Sequence, residues 1–238
     1  MMPDRKYSIV TGFSEHLANG VEFLGTWERN TMKYAAPESI YIIGAGMAEK
    51  HKKIEQVRKL RWINTVRDLG HQGKTEFPAQ QRLGGWSAGV LVGALLCYHD
   101  RVDMIYKEQD CLVFGPWVKR LYDECGERGM IFGKPNTGDG PGGVSHGGLM
   151  ANSLFLVKWE SLVDFVALYS GFSLGGSFQS DATVYPEEKF RTIAEHFKLP
   201  LTTMGYDRSR PIGYDDEAFY AQQLTADEMV ELLKRGLI

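Results

Sequence analysis

The sequence predicts an α/β fold: a mostly parallel central sheet flanked by helices. Three observations predict it. Short apolar runs alternate with helical patterns between residues 7 and 66, in the order β-α-β-α-β. That order returns each strand beside an earlier one in the same direction, with helices crossing the faces of the sheet. Glycines follow the first two apolar runs, at Gly12 and at Gly44 and Gly46, where strand-to-helix turns are needed. No internal repeat, low-complexity tract or linker divides the chain, so one domain over residues 1–238 is expected.

The elements follow in order. Tyr7 to Thr11 is the first predicted strand, ended by Gly12. Ser14 is the predicted cap of a helix carrying Leu17, Val21, Leu24 and Trp27. Ser39 to Gly44 is the second strand, residues 49–60 a charged helix, and Arg61 to Val66 the third strand. Residues 71–83 are polar and read as a loop; Trp86 and Ser87 open an apolar helix through His99. Val102 to Tyr106 is a strand, and Asp110 to Phe114 either continues it or forms a short second one. Gly115 and Pro116 start a helix through Leu121 and Tyr122, with proline at its favoured early position. Met130 to Phe132 is a short strand. Four glycines and a proline in residues 136–143 exclude a regular element. Leu149 to Val157 reads as a strand, Trp159 to Tyr169 as a helix, Phe172 to Tyr185 as a loop, and Pro186 to Phe197 as a helix. Leu201 to Met204 is a late strand, and Thr225 to Glu228 is a capping box opening the last helix.

Composition narrows the function classes. The net charge of −3 argues against a nucleic-acid binder, whose domain is usually basic. Cys97, Cys111 and Cys125 fit no zinc spacing; Cys97 and Cys111 sit in apolar runs and read as buried hydrophobes of a reducing compartment. The start of the chain lacks a signal-peptide pattern, and the apolar stretch from Val90 to Cys97 is too short to span a bilayer. A cytoplasmic protein without a transmembrane segment is expected; peripheral membrane association and oligomeric state are left open.

In an open parallel sheet, ligands bind beyond the carboxyl ends of the strands. Three features fall there. Thr11, Gly12, Phe13 and Ser14 offer a glycine and two hydroxyls to a nucleotide base or ribose; a tight turn with a helix cap explains the same residues. At the fourth strand, an apolar run reaches Glu108, Gln109 and Asp110, and apolar residues resume at once. In an extended segment residues i and i+2 share a side, so Glu108 and Asp110 would present two carboxylates together. Two close carboxylates repel, and a hard divalent cation such as Mg²⁺ or Mn²⁺ relieves the repulsion while bridging to phosphates. An ordinary charged turn is the competing reading. The third feature is the glycine-rich loop with His146, placed to close over a ligand and exclude water.

The run from Tyr106 to Pro116 resembles the metal-site strand of GT-A glycosyltransferases, in which an apolar strand meets an Asp-x-Asp motif followed by apolar residues and often Gly-Pro. The strand ending near Thr11 and Gly12, the strand Ser39 to Gly44, and Leu149 to Val157 with its Asn152 and Ser153 are similar to that family too. The resemblance spans roughly residues 7–170. It implies a nucleotide-sugar-binding half over about 1–133 and an acceptor-side half over about 134–238. It implies a Mn²⁺ or Mg²⁺ ion, a UDP- or GDP-linked sugar donor, and a sugar or glycan acceptor. Glu108 stands where the family's first Asp usually stands. Its longer stem shifts the carboxylate, so Asp110 takes the direct metal contact. Glu108 contacts the metal, the ribose or an ordered water, and His146 a phosphate or the metal. Trp86, Ser87 and Gln109 are assigned to the donor.

Arg208 and Arg210 carry the planar fork that suits phosphate and would neutralise the leaving diphosphate; surface pairing with Asp207, Asp215 or Asp216 competes with that reading. Asp181, in a polar loop, is the first choice for a base on the acceptor hydroxyl, followed by Glu187, whose place in a first helical turn already has a helix-dipole reason. Phe13, Trp86, Tyr106 and Tyr206 are the aromatics available for stacking on a base or sugar, with plain core packing the commoner reading for any one of them. Three rivals are weighed. A sugar-phosphate nucleotidyltransferase normally carries a glycine-rich, Lys- or Arg-ended loop after its first strand, which Thr11 to His16 lacks. A non-catalytic nucleotide- or sugar-binding protein would keep the fold without the metal. A dinucleotide oxidoreductase is disfavoured because Gly44 and Gly46 lack the third glycine of the fingerprint.

Overall fold

The computed structural model describes residues 5–13, 20–45, 60–65, 84–133, 153–174, 186–204, 212, 214 and 217–238. Their elements are β1 (Tyr7–Phe13), α1 (Gly20–Tyr34), β2 (Ser39–Ala45), β3 (Leu60–Thr65), α2 (Gly84–Asp100), β4 (Asp103–Lys107), β5 (Cys111–Phe114), α3 (Trp117–Cys125), β6 (Met130–Ile131) and β7 (Leu154–Val157). A 3-10 turn at Trp159–Ser161 then leads into α4 (Leu162–Leu174), followed by α5 (Pro186–Phe197), β8 (Phe219–Gln222) and α6 (Ala226–Lys234).

Six strands form one sheet in the order β3-β2-β1-β4-β7-β6. β1, β2, β3 and β4 run parallel to one another, and β7 runs against both β4 and β6. The predicted α/β class, with a mostly parallel sheet between helices, is therefore the observed one. β5 and β8 form a separate antiparallel pair.

The strand period of two divides the core between the faces. Ile9, Ile40, Ile42, Ile105, Leu154 and Leu156 face Leu24 and Trp27 of α1, the α3 residues Trp117 and Leu121, and the β5–β8 pair. Val10, Tyr41, Ile43, Met104, Tyr106 and Phe155 face α2, α4 and α5. Burial on both faces explains why these strands are near-continuous apolar runs rather than alternating ones. On the second face, α2 lies directly on β1 through glycines. A Cβ on Gly93 would stand 2.2 Å from Val10 Cγ1, and one on Gly89 3.1 Å from Gly12 Cα.

Several boundaries differ from expectation. β1 does not stop at Gly12, because the ladder with β2 continues through Gly12–Ile43 to Phe13–Gly44. Asp110 belongs to a turn, and the apolar run after it leaves the main sheet as β5. Leu201 makes only a single bridge, to Phe132, where a strand to Met204 was expected. The helix after Trp159 begins as a 3-10 turn and continues to Leu174. β8 was not anticipated. The capping box of α6 is as predicted: Glu228 N donates to Thr225 Oγ1, and Thr225 N donates to Glu228 Oε2 at 2.8 Å. The predicted Ser14 cap, the helix before Leu60, the loop at 71–83 and the glycine-rich run at 136–143 lie outside the described residues. Cys97, Cys111 and Cys125 are all buried free thiols. Among the described residues, no helix is long and apolar enough to cross a membrane.

Candidate functional site

β4 lies in the middle of the sheet, and Glu108 follows directly at its carboxyl end. The chain then turns: Cys111 N donates to Glu108 O at 3.0 Å. The segment is thus a tight turn, not the extended run that the i, i+2 argument assumed. Its two carboxylates meet all the same, on a third residue. Gln222 Nε2, arriving from β8, donates to Glu108 Oε2 at 2.6 Å and to Asp110 Oδ1 at 2.8 Å. Ser153, at the start of β7, donates its hydroxyl to Gln222 Oε1 at 2.6 Å. Glu108, Gln109 and Gln222 are buried, whereas Asp110 is partly open to solvent.

The turn is held from three sides. Glu108 N donates to Ser153 O at 2.8 Å. Trp27 Nε1 of α1 donates to Glu108 O at 2.8 Å. Asn30, one helical turn further along α1, brackets β5: its Nδ2 donates to Val113 O at 2.8 Å, and its Oδ1 accepts from Val113 N at 3.0 Å. Lys107, the last residue of β4, points into α1 instead of towards the carboxylates. Its Nζ donates to Thr31 Oγ1 at 2.6 Å and Asn30 Oδ1 at 3.0 Å, and lies 4.5 Å from the centre of the Trp27 ring. Burial pushes this amine down from its ordinary value of 10.5 to about 7.

β1 ends beside this turn. The register pairs Val10 with Tyr106, which brings Gly12 level with the end of β4. Thr11 is buried, and its hydroxyl donates to Gly12 O at 3.1 Å. Gly12 is partly exposed and presents backbone alone. Phe13 is buried, with its ring edge-on to Trp62 at 6.2 Å. Tyr106 takes the core role that aromatics commonly have: it is fully buried and stacks on Phe155 at 5.0 Å. Burial, with Glu108 adding to it, holds its hydroxyl well above its ordinary value.

The remaining candidates divide in two. Trp86 and Ser87 occupy the first turn of α2, and Glu187 that of α5; their side chains lie outside the described residues. Ser14, His146, Asp181, Arg208 and Arg210 lie outside them altogether. Gln222 is the functional candidate that sequence reasoning missed. Phe219 to Gln222 is a four-residue run without alternation after a polar segment, and its two aromatics were the one local hint of a strand. Its position opposite Glu108 and Asp110 follows from the pairing of Cys111 with Gln222.

A divalent cation is the group the fold family implies here. Among the described residues no cluster of three or more His, Cys, Asp or Glu side chains exists. Two converging carboxylates nonetheless suit a hard cation that takes its other oxygens from water and phosphate. Glu108 and Asp110, reaching one nitrogen from two directions, fit that donor set.

No protein-family model matches the chain, and no curated protein matches it. Solved structures do match. The apo form of the glycosyltransferase GlyE from Streptococcus pneumoniae TIGR4 superimposes with a TM-score of 0.56 at 10% identity, over 94% of this chain and 55% of that one. The chain therefore spans about half the length of GlyE. A 4-diphosphocytidyl-2C-methyl-D-erythritol synthase superimposes with a TM-score of 0.53 at 10% identity, over 99% of both chains. A putative glucose-1-phosphate thymidylyltransferase from Bacillus anthracis, in complex with a sucrose, gives 0.51 at 10% identity over 98% of this chain and 95% of that one. The chain has the GT-A fold common to glycosyltransferases and nucleotidyltransferases, with its acidic turn at the carboxyl end of the central strand.

Proposed function

We propose that the protein is a metal-assisted transferase that moves a sugar from a nucleoside-diphosphate donor to an acceptor hydroxyl. The observation that carries this reading is the meeting of Glu108 and Asp110 on one nitrogen at the carboxyl end of β4. Open α/β sheets bind their ligands at that end. When bound, the cation neutralises the donor diphosphate and stabilises charge on the leaving group. Asp110, the more exposed carboxylate, makes the direct contact, and buried Glu108 supports it or meets the ribose. Gly12, partly exposed, offers backbone to a base or ribose, while the side its Cβ would take faces the Tyr106 hydroxyl. Arg208 and Arg210 bind the diphosphate, His146 touches a phosphate or the metal, and Asp181, or Glu187 in its place, takes the acceptor proton. These last roles rest on sequence alone. The acceptor oxygen bonds to the anomeric carbon as the bond from that carbon to the diphosphate breaks, and a nucleoside diphosphate leaves.

The test is product analysis with UDP- and GDP-linked sugars and added Mn²⁺ or Mg²⁺. Released nucleoside diphosphate is expected. Pyrophosphate from a nucleoside triphosphate and a sugar phosphate would instead establish nucleotidyl transfer. Absence of both reactions and of nucleotide binding would establish a non-catalytic relative. Asp110→Asn should lower transfer at least ~100-fold, as removal of an electrostatic transition-state contact does, and should leave the thermal unfolding midpoint unchanged.

A further inference from the structure

We propose that Gln222 is the third protein ligand of the cation site, a residue that turns its amide end over when the metal arrives. The inference rests on the metal-assisted reading above and adds to it a residue from the far end of the chain.

The orientation of the amide follows from what its neighbours can do. Ionised carboxylates only accept hydrogen bonds, so Gln222 must turn its nitrogen towards Glu108 and Asp110. Its oxygen then faces Ser153, whose hydroxyl donates to it. A cation between the carboxylates removes the reason for that arrangement. An amide NH₂ beside a divalent cation is repelled, and an amide oxygen is a normal hard-cation ligand. Half a turn about the last side-chain bond exchanges the two ends. The oxygen then takes the nitrogen's place, 2.6 Å from one carboxylate oxygen and 2.8 Å from the other. Neighbouring oxygens on an octahedral Mg²⁺, with bonds of 2.0–2.1 Å, are about 2.9 Å apart. The two spacings from Gln222 to the carboxylates are close to that of adjacent ligands on one ion.

Ser153 makes the turn inexpensive. A hydroxyl both donates and accepts, so it can donate to the amide oxygen in one state and accept from the amide nitrogen in the other. Gln222 is almost fully buried on β8, and its backbone is fixed by the pairing of β8 with β5. The side chain can therefore exchange its ends without movement of the sheet.

The test is Mn²⁺ binding by electron paramagnetic resonance, with and without UDP, on the whole chain. Gln222→Met, which keeps the length and removes the oxygen, should weaken Mn²⁺ binding at least tenfold. Gln222→Glu, which presents oxygen alone, should tighten it at least tenfold. Circular dichroism checks that both variants fold. A third measurement needs no variant: the side-chain NH₂ resonances of Gln222 in the wild type should shift on saturation with Mg²⁺. Equal or tighter Mn²⁺ binding by Gln222→Met, no tightening by Gln222→Glu, or an unmoved Gln222 resonance at Mg²⁺ saturation would each overturn the proposal. If Asp110→Asn loses Mn²⁺ while Gln222→Met keeps it, the metal-assisted reading stands and Gln222 is no ligand. If the wild type binds no Mn²⁺ even with UDP, both readings fall.

Discussion

The two ends of β4 handle buried negative charge differently. At the amino end, Asp103 is neutralised by the chain itself. Arg5 Nη1 lies 3.3 Å from both of its oxygens, Tyr122 donates its hydroxyl at 2.7 Å, and Trp159 N donates at 2.7 Å. At the carboxyl end, two carboxylates share one neutral amide, and the adjacent lysine is turned away into α1. The first arrangement holds β1, α3 and the segment after β7 together. The second concentrates charge where a parallel sheet opens to ligands. Asp103 meets a guanidinium, a hydroxyl and a backbone N–H, whereas Glu108 and Asp110 converge on an amide nitrogen from another strand.

The largest expected effects test that contrast directly. Asp110→Asn should lower transfer at least ~100-fold without loss of stability, because it removes one of two like charges held close together. Asp103→Ala should do the reverse. It strips Tyr122 and the Trp159 N–H of their acceptor, leaves Arg5 with Glu160 alone, and should cost about 3 kcal/mol, the scale for leaving buried hydrogen-bond donors unpaired, with activity retained by the folded fraction. Denaturant unfolding and turnover, measured on both variants, check the pair. If Asp103→Ala unfolded normally and lost activity, the division between the two ends would be wrong.

Lys107 sharpens the contrast through pH. Its amine is held at about 7 in the fold against 10.5 as the ordinary value. Between those values the unfolded chain binds a proton that the folded chain does not, so stability rises with pH across that window and is flat below it. Relative to Lys107→Met, the wild type should gain about 1.4 kcal/mol per pH unit between pH 7 and 10. Parallel stability curves for the two proteins would show that the amine stays protonated in the fold.

Smaller effects are expected away from β4. Gly93→Ala would push a methyl into Val10 and should cost about 1–3 kcal/mol, the range for overpacking a filled core. Thr225→Ala removes one half of a capping box and should cost about 1 kcal/mol. Thermal unfolding should rank these two below Asp103→Ala.

Much of the fold was legible because local rules and tertiary structure agree. The apolar runs at Ser39 and Asp103 became strands, since a sheet covered on both faces needs continuous hydrophobic residues, and the run at Arg61 became a half-exposed edge strand. Pro186 and the Thr225 box began helices where such residues begin them. The acidic turn at Glu108 was visible as charge interrupting a strand. Gly12 misled, because glycine often ends a strand but here continues one that lies close under α2.

The sequence by itself determined the order of elements and the placing of two carboxylates beyond a central strand, for both depend on periodicity and near neighbours along the chain. Tertiary structure alone decided what meets those carboxylates. Gln222 lies more than a hundred residues from Asp110 along the chain, and Ser153 is the residue just before β7. Their convergence depends on how β8 pairs with β5 and β7 with β4. Such pairings follow from burial summed over the whole chain, which no local pattern contains.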